Sequence, residues 1–327
     1  MKKNYLRWSE VPYAGEKKLP VNPVTPSAGS WSLNYLKRDK DKNFLNPNGT
    51  IMHFPIKKPS AIDFENELKI VQRTLKHLTH TQEQLAIFYG TGAPTKQWTP
   101  IIDRLVDTYG VSPVHACRIL AAVQMAINDT MIVVWELKYK WDVARPNQFD
   151  EELETVICTP RFPSYPSGHA SMSGCAEVVL SYFFPMEAKK LRKIAFDDAY
   201  SRLYAGVHFE ADNTEGLNLG RYIGNMIVDH LKTQKNEDGQ PIDHPYREYR
   251  NANISPDDYK QFIPFDFKDD CTSRLRTKKA KESKELMESI ESIESSIESI
   301  ESIESIESND DQKSHQKHIP RRSPWHF

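Results

Sequence analysis

The chain has 327 residues, of which 39% are hydrophobic and 27% are charged. Its 43 Lys and Arg residues stand against 45 Asp and Glu residues, a net charge of -2. A broad nucleic-acid-binding surface is not expected, because such surfaces neutralise phosphates with an excess of cations. The apolar fraction is below that of an ordinary globular chain, which indicates that part of the length lies outside a packed core.

The cysteines and the apolar segments bear on the compartment. There are four cysteines, far apart and without a CxxC pair: Cys117, Cys158, Cys175 and Cys271. This spacing disfavours a zinc site or a disulfide framework and fits a reducing compartment. The first residues lack the apolar stretch of an export signal, and the most apolar segment, residues 119–135, contains Asp129, which is costly in a bilayer. We therefore predict a soluble, cytoplasmic protein without a membrane span.

Three regions of the chain differ in composition and in apolar pattern. Residues 1–60 are rich in Pro, Lys, Asn and Ser and predict an irregular arm, whereas residues 61–271 carry nearly all of the periodic apolar pattern and predict a helical catalytic domain. Residues 272–327 are of low complexity, and residues 285–311 hold eight Glu, two Asp and no basic residue. The isoleucine spacing there begins like a coiled coil, which would make a homo-oligomer. The many Ser and Glu residues favour a disordered acidic tail instead.

Capping signals divide the middle region into helices. Asp63 can cap a first helix over residues 64–80, Thr81 can begin a second that ends at Gly90, and Thr99-Pro100 can open a third that Gly110 stops. The same signals place four more helices: from Ser112-Pro113 to about residue 139, then over residues 167–184, 187–204 and 214–231. Because no stretch shows strand alternation, we predict an all-α helix bundle.

Two basic side chains lie at the end of the longest predicted helix. Lys138 falls in its last turns, and Pro146 disfavours helical backbone at Arg145, so the chain must turn there. Two cations at such an end could bind the carbonyls of the helix or an anion.

A second polar segment is the run Pro163-Ser-Tyr-Pro166-Ser167-Gly168-His169. Ser167 at a helix N-cap, followed by free N–H groups at Gly168 and His169, would form a nest for an anion. A plain N-cap beside a core histidine is the alternative.

The third segment contains Arg202, His208 and Asp212. If the stretch is helical, Asp212 shares a face with His208 and can accept a hydrogen bond from its ring, which fixes the tautomer and raises the basicity of the other nitrogen. A surface His–Asp pair is the alternative. Together, the three segments meet the needs of a tetrahedral oxyanion, with cations and N–H groups for its oxygens and two histidines for bonding and proton transfer.

The order Lys-x6-Arg-Pro, Pro-Ser-Gly-His, Ser-Arg-x5-His-x3-Asp resembles the signature of the superfamily of type 2 phosphatidic acid phosphatases and vanadium-dependent haloperoxidases. The similarity covers about residues 85–230. It implies a helix bundle of the vanadium chloroperoxidase and acid phosphatase type.

The resemblance also implies a role for each signature residue. His208 would bond the central atom, either as the phosphorylated histidine of a phosphatase or as the protein ligand of vanadate. His169 would be the acid–base residue, and Asp212 would orient His208. The oxygens of phosphate or vanadate would be bound by Lys138, Arg145, Ser167, Gly168 and Arg202.

Two aromatic residues bear on the choice between these chemistries. Phe162, in Arg161-Phe162-Pro163, resembles the equivalent run of chloroperoxidase-type members, and Trp135 matches an aromatic that lines their halide pocket; ordinary core packing is the alternative for both. We predict a vanadium-dependent haloperoxidase-like enzyme that holds vanadate and oxidises halide with hydrogen peroxide. The alternatives are a soluble phosphomonoesterase without a cofactor and an inactive oxyanion-binding scaffold. Asp129, buried in an apolar helix, is expected to pair with Arg202 or Arg145.

Overall fold

The computed structural model describes residues 5–256, together with residues 260, 261, 271, 289, 290 and 293. The chain divides into two compact units, Met1–Leu275 and Arg276–Phe327. Three residues of the second unit are described, and all three have helical backbone. The predicted acidic tail and its heptad spacing otherwise lie outside the described residues.

The first unit is a helix bundle, which confirms the predicted all-α class. Its α-helices within the described residues are α1 Phe64–Lys76, α2 His80–Gly90, α3 Thr99–Tyr109, α4 Pro113–Trp141, α5 Pro146–Phe149, α6 Gly168–Phe183, α7 Ala188–Tyr204 and α8 Glu210–Leu231.

Most helix ends lie at the predicted capping residues. The side chain of Asp63 accepts the N–H of Asn66 at the start of α1, and Gly110 ends α3 in the left-handed conformation at φ 57°. Two starts differ from the prediction. A capping box at Thr79 begins α2 at His80, and α8 begins at Glu210, four residues before the predicted start.

Helix α6 lies at the centre of the bundle, against α4, α7 and α8. Its small residues allow the close approach to α8, since a Cβ placed on Gly174 would come within 2.7 Å of the carbonyl oxygen of Leu217. Side chains from all four helices form the fully buried core, among them Val133, Val179, Ala195 and Ile223. This contact brings the N-terminus of α6 beside that of α8, where the predicted site residues lie.

Residues 5–60, which we call the N-terminal arm, run over the bundle with little regular structure. They contain a two-residue hairpin, β1 Lys37–Arg38 and β2 Phe44–Leu45, with Lys37 opposite Leu45. The arm is held by backbone hydrogen bonds to the loops that surround α5, namely Trp8 N to Asp142 O, Ala14 N to Asn147 O and Val24 N to Arg161 O, each 2.9 Å.

The predicted partner of Asp129 is wrong. This fully buried carboxylate pairs with the N-terminal arm rather than with Arg145 or Arg202. It accepts hydrogen bonds from the backbone N–H groups of Asn34, Tyr35 and Leu36 at 2.7–2.9 Å and from the Asn34 amide at 3.1 Å. Backbone donors satisfy a buried carboxylate as well as a cation does, and sequence patterns do not reveal them.

We expect Asp129→Ala to lower the free energy of unfolding by about 3 kcal/mol, because it leaves buried backbone N–H groups without acceptors. Thermal or urea unfolding measures the change. Asn128→Ala is the matched control, since Asn128 is exposed on the same turn; an equal loss in both variants would contradict the anchoring role.

Helix α4 is the one helix among the described residues that is long and apolar enough to cross a membrane. That statement rests on length and composition alone. Of its most apolar window, 56% is buried inside the protein, and Val133 and Val134 are fully enclosed. The core helix of a bundle passes the same test.

The expectation of unpaired cysteines is wrong for one pair. Cys158 and Cys271 form a disulfide across 113 residues of sequence, while Cys117 and Cys175 are free. Disulfides are typical of oxidising compartments, so this bond runs against the predicted reducing environment. The wide separation hid the pair, because cysteine spacing is informative only for local motifs.

Candidate active site

The predicted site residues converge at the N-termini of α6 and α8. Lys138 comes from the last turns of α4, Arg145 from the residue before α5, Arg202 from the last turn of α7, and His208 from the loop before α8. Lys138 and Arg145 are fully buried, and Arg202 and His208 are each 2% exposed. These four segments and the N-terminus of α6 therefore meet in one polar cluster inside the bundle.

His208 and Asp212 form the predicted pair, but not on one helical face. His208 lies outside α8, and Asp212 is in its first turn, where the carboxylate caps the helix by accepting the N–H of Phe209 at 3.1 Å. The same oxygen, Oδ2, accepts His208 Nδ1 at 2.8 Å and Ser164 Oγ at 2.5 Å. The cap explains why α8 begins earlier than its apolar pattern indicates.

These contacts define the protonation state of the His208 ring. Arg145 Nη1 lies 2.9 Å from His208 Nε2, and a guanidinium can only donate, so Nε2 is the acceptor and the ring proton is on Nδ1. Burial and the charges of Arg145 and Lys138 hold the pKa of His208 well below its ordinary value. His208 is therefore a neutral imidazole whose Nε2 lone pair faces the cations.

Lys138 and Arg145 are both anchored by backbone carbonyls. Lys138 Nζ donates to the carbonyls of Pro163 at 2.9 Å and Ser164 at 2.6 Å, which leaves one N–H of its ammonium for another acceptor. Arg145 donates from Nε to Phe162 O at 3.0 Å and from Nη1 to Val207 O at 2.7 Å. Its Nη2 is buried and has no partner among the described residues.

Arg202 is held from the side of α7 and α2. Its Nε donates to Ser201 Oγ at 2.9 Å, and its Nη2 donates to the carbonyl of Ala86 at 2.8 Å. Burial lowers the pKa of Arg145 and of Arg202 to about 10, and it lowers that of Lys138 well below its ordinary value, aided by the charge of Arg145. Arg145 and Arg202 are thus cations held in a poorly solvated space, and the same burial disfavours the charged form of Lys138.

The N-terminus of α6 supplies the other predicted anion-binding groups. Ser167 is its N-cap, with a side chain that accepts the N–H of Ala170 at 3.4 Å, and the N–H groups of Gly168 and His169 belong to the open first turn. His169 Nε2 lies 3.0 Å from the carbonyl of Tyr89. His169 is partly exposed, and burial together with the charge of Arg202 lowers its pKa well below the ordinary value.

Trp135 and Phe162 form an aromatic wall beside the cations. Their ring centroids are 5.0 Å apart, and the Phe162 ring lies 4.8 Å from the Arg145 guanidinium and 5.2 Å from Lys138 Nζ. The Trp135 indole N–H donates to the carbonyl of Val24 at 3.2 Å. The N-terminal arm therefore fixes the wall from outside.

Two functional groups escaped the sequence reasoning. Ser164 bridges the His208–Asp212 pair, since its Oγ donates to Asp212 and lies 3.4 Å from His208 Nδ1. Tyr89 offers only its backbone carbonyl to His169. Ser164 lies within the polar Pro163–His169 segment, so its position beside the site residues could have indicated a role. No side-chain pattern points to a backbone carbonyl.

We call the cluster of Lys138, Arg145, Arg202, His169, His208 and the first turn of α6 the cage, and its donors are of the kinds that bind oxyanions. Its donors are anchored by carbonyl groups, which orient the cations without neutralising them. Burial raises the pKa of Asp212 to about 6, which reflects the cost of any charge in this space. A tetrahedral anion would supply acceptors for the open N–H groups of Arg145 and Lys138 and for the first turn of α6.

Comparison with known proteins supports the superfamily resemblance. The sequence profile of the PAP2 superfamily matches residues 116–235, which include every predicted site residue. Among proteins of curated function, none matches the sequence.

Solved structures of two bacterial enzymes resemble this chain in fold. A vanadium-dependent iodoperoxidase aligns with a TM-score of 0.55 and 22% identity over 70% of this chain and 62% of its own. The apo form of a vanadium-dependent chloroperoxidase aligns with a TM-score of 0.52 and 15% identity, over 70% of this chain and 63% of its own. The chain thus spans under two thirds of either relative, and the likeness is one of fold.

The pKa of Asp212 leads to a prediction about pH. We expect kcat/KM to fall by up to about tenfold per pH unit below about pH 6, because protonation removes the acceptor that holds His208 Nδ1–H. A pH–rate profile measures this limb. Ser164→Ala should move the limb to higher pH, since the Ser164 hydrogen bond lowers the pKa of Asp212; an unmoved limb would assign it to another group.

Proposed function

We propose that this PAP2 protein is a vanadium-dependent haloperoxidase-like enzyme that oxidises a halide with hydrogen peroxide. The observation that carries the proposal is the buried cage, in which Arg145 Nη2 has no partner among the described residues while Arg145 Nη1 donates to His208 Nε2. An unsatisfied buried guanidinium N–H is costly, and an oxyanion at this place would satisfy it.

The residues present fit vanadate. Lys138, Arg145 and Arg202, together with Ser167 and the Gly168 N–H, would hold its oxygens, and the neutral His208 would be its protein ligand through Nε2. Asp212 keeps that nitrogen unprotonated by accepting the ring proton at Nδ1. When bound, vanadate would supply the activation of peroxide that halide oxidation requires. His169 would hold or move the proton of the reacting oxygen, at the partly exposed side of the cage.

The aromatic wall supports a halide substrate. The Phe162 ring lies 4.8 Å from the Arg145 guanidinium and 5.2 Å from Lys138 Nζ, and the Trp135 ring packs against Phe162. A weakly hydrated anion can lose its water at such an apolar surface, because the nearby cations stabilise its charge. The halide would thus lie beside the oxyanion cage without competing for its hydrogen bonds.

Phosphomonoester hydrolysis through a phosphohistidine at His208 is the second candidate. The exposure of His169 favours it, because the other predicted side chains of the cage are enclosed and His169 alone among them is partly exposed. A proton donor in that position would serve a leaving alcohol that departs toward solvent.

A paired assay separates the two candidates. Purified full-length protein is tested for bromide-dependent halogenation with peroxide and for p-nitrophenyl phosphate hydrolysis, each with and without orthovanadate. A haloperoxidase is expected to be activated by vanadate, whereas a phosphatase is expected to be inhibited by it. Hydrolysis that vanadate abolishes, with no halogenation under any condition, would overturn the proposal in favour of the second candidate.

A further inference from the structure

A buried carboxylate that the proposed chemistry does not use lies beneath the cage. Asp198 of α7 is fully buried. Its Oδ2 accepts Ser173 Oγ of α6 at 2.5 Å, and Ser173 Oγ in turn accepts the indole N–H of Trp98 at 3.0 Å. Its Oδ1 has no partner among the described residues.

Asp198 and Ser173 each lie one helical turn from a residue of the cage. Ser173 is four residues after His169 on α6, and Asp198 is four residues before Arg202 on α7, so each pair shares a helix face. The Ser173–Asp198 contact therefore lies one helical turn below His169 and Arg202. Ser201 also connects the two residues, since its Oγ donates to the backbone carbonyl of Asp198 and accepts Arg202 Nε.

The charges around Asp198 are few. On its own helix it faces Arg202, which stabilises its ionised form, and the partly exposed Asp197, which opposes it. On α6 the titratable residue one turn from Ser173 is His169, and α2 contributes Tyr89, whose phenol raises the pKa of Arg202. Trp98 does not titrate. The charge state of Asp198 is thus set first by burial and by the Ser173 hydrogen bond, and then by the charge of Arg202 in the cage.

That potential changes when an anion binds. A negative charge at Arg202 cancels part of the positive potential that keeps Asp198 ionised, and in a poorly solvated interior this effect extends over one helical turn. Burial already raises the pKa of Asp198 to about 7, so a modest further rise changes its proton occupancy near neutral pH. The Ser173 hydroxyl suits both states, because it can donate to the carboxylate or accept from the carboxylic acid.

We propose that Asp198 is a positioning residue for Arg202 and takes up a proton from solution when an oxyanion enters the cage. This inference rests on the proposed oxyanion site and adds a regulation to it. The proton adds to a carboxylate oxygen, and the neutral acid donates to Ser173 Oγ. Protonation neutralises the Asp198 carboxylate when the anion binds. The positive charge of Arg202 is then no longer offset by Asp198 and stabilises the bound anion.

The consequence is an oxyanion affinity that is coupled to pH through a residue outside the cage. Affinity for a fully ionised oxyanion is expected to fall as the pH rises through 7 and above. Each binding event takes up a proton, and the proton concentration falls as the pH rises. Other groups of the cage contribute to the same balance, among them Asp212 and His169. Only the difference between variants isolates the share of Asp198.

Calorimetry with tungstate tests the proposal without turnover. Tungstate is a tetrahedral oxyanion that stays ionised near neutral pH, so proton exchange is that of the protein. Titrations of the full-length protein near pH 7.5 in buffers of different ionisation enthalpy give the number of protons taken up. We expect clear uptake by the wild type and a loss of about half of a proton or more in Asp198→Asn.

Two further variants keep the test decisive. Asp197→Asn makes the same change at the neighbouring position, whose carboxylate pairs with Lys193 at the surface. It should keep the uptake and move it to slightly lower pH, because the Asp198 carboxyl remains and Asp197 is the smallest of the influences that set its pKa. Ser173→Ala removes a bond that lowers the pKa of Asp198, so it should move maximal uptake to higher pH. It also serves if Asp198→Asn does not fold.

The outcomes separate the inference from the function on which it rests. Tungstate binding with the same proton uptake in the wild type and in Asp198→Asn would overturn the role of Asp198 while leaving the oxyanion site intact. An absence of tungstate binding to the wild type would contradict the oxyanion site itself, and the inference with it.

Discussion

His208→Ala is expected to lower whichever activity the protein shows by at least about 10³-fold. The imidazole directs a nitrogen lone pair at the cations, through the 2.9 Å contact between its Nε2 and Arg145 Nη1. Alanine leaves no group that could bond the central atom, so peroxidase and phosphatase turnover should fail together. Steady-state rates in both assays measure the loss.

The controls for this variant address folding and placement. Tungstate binding should persist at reduced affinity, because Lys138, Arg145 and Arg202 remain, and this would show that the cage is formed. His77→Ala removes an exposed histidine at the end of α1 and should leave the rates unchanged. Retention of full activity in His208→Ala would refute the site assignment.

Asp212→Asn is expected to lower kcat by about 10²- to 10⁴-fold with a small change in structure. The amide can place its oxygen where Oδ2 accepts Ser164, His208 and Phe209, so α8 stays capped. It carries no charge, however, and so it neither stabilises a positive His208 nor raises the basicity of Nε2. Rates and thermal melts of the same preparation separate these effects.

Ser164→Ala provides a graded comparison, because it removes one hydrogen bond to Asp212 and keeps the carboxylate. Its loss of kcat should be smaller by about tenfold or more than that of Asp212→Asn. If the serine variant were the more damaged of the two, the charge of Asp212 would not be the important property.

The helical fold was readable from the sequence because its signals are local. Asp63, Pro113 and Gly110 act on the backbone within one turn of themselves, and the apolar pattern does the rest. The start of α8 was missed because its cap, Asp212, was read as a partner of His208; one carboxylate performs both tasks. The two-residue strands of the N-terminal arm are too short to leave any alternation.

The candidate site was more predictable in its members than in its contacts. Side-chain chemistry and spacing pointed to Lys138, Arg145 and Arg202, and the structure brings these groups to one place. Their hydrogen bonds go largely to backbone carbonyls, at Pro163, Ala86 and Val207. Carbonyls are present at every residue, so only the path of the chain decides which ones face a buried cation.

Asp129 and Cys158 show the same limit at longer range. Their partners lie about 95 and 113 residues away. A single sequence contains no signal for which distant segment returns to a given helix, and chemical plausibility then favours the wrong partner, such as a cation for a buried acid.

The path of the N-terminal arm has a consequence for biosynthesis. Asn34, Trp8 and Val24 leave the ribosome first, yet their partners at Asp129, Asp142 and Arg161 follow about a hundred residues later or more. Contacts of such long sequence separation form slowly, and the arm must wait until the helices have been made. The wall at Trp135 is therefore completed only after residue 161 has been made, and the N-terminal arm lacks these partners until then.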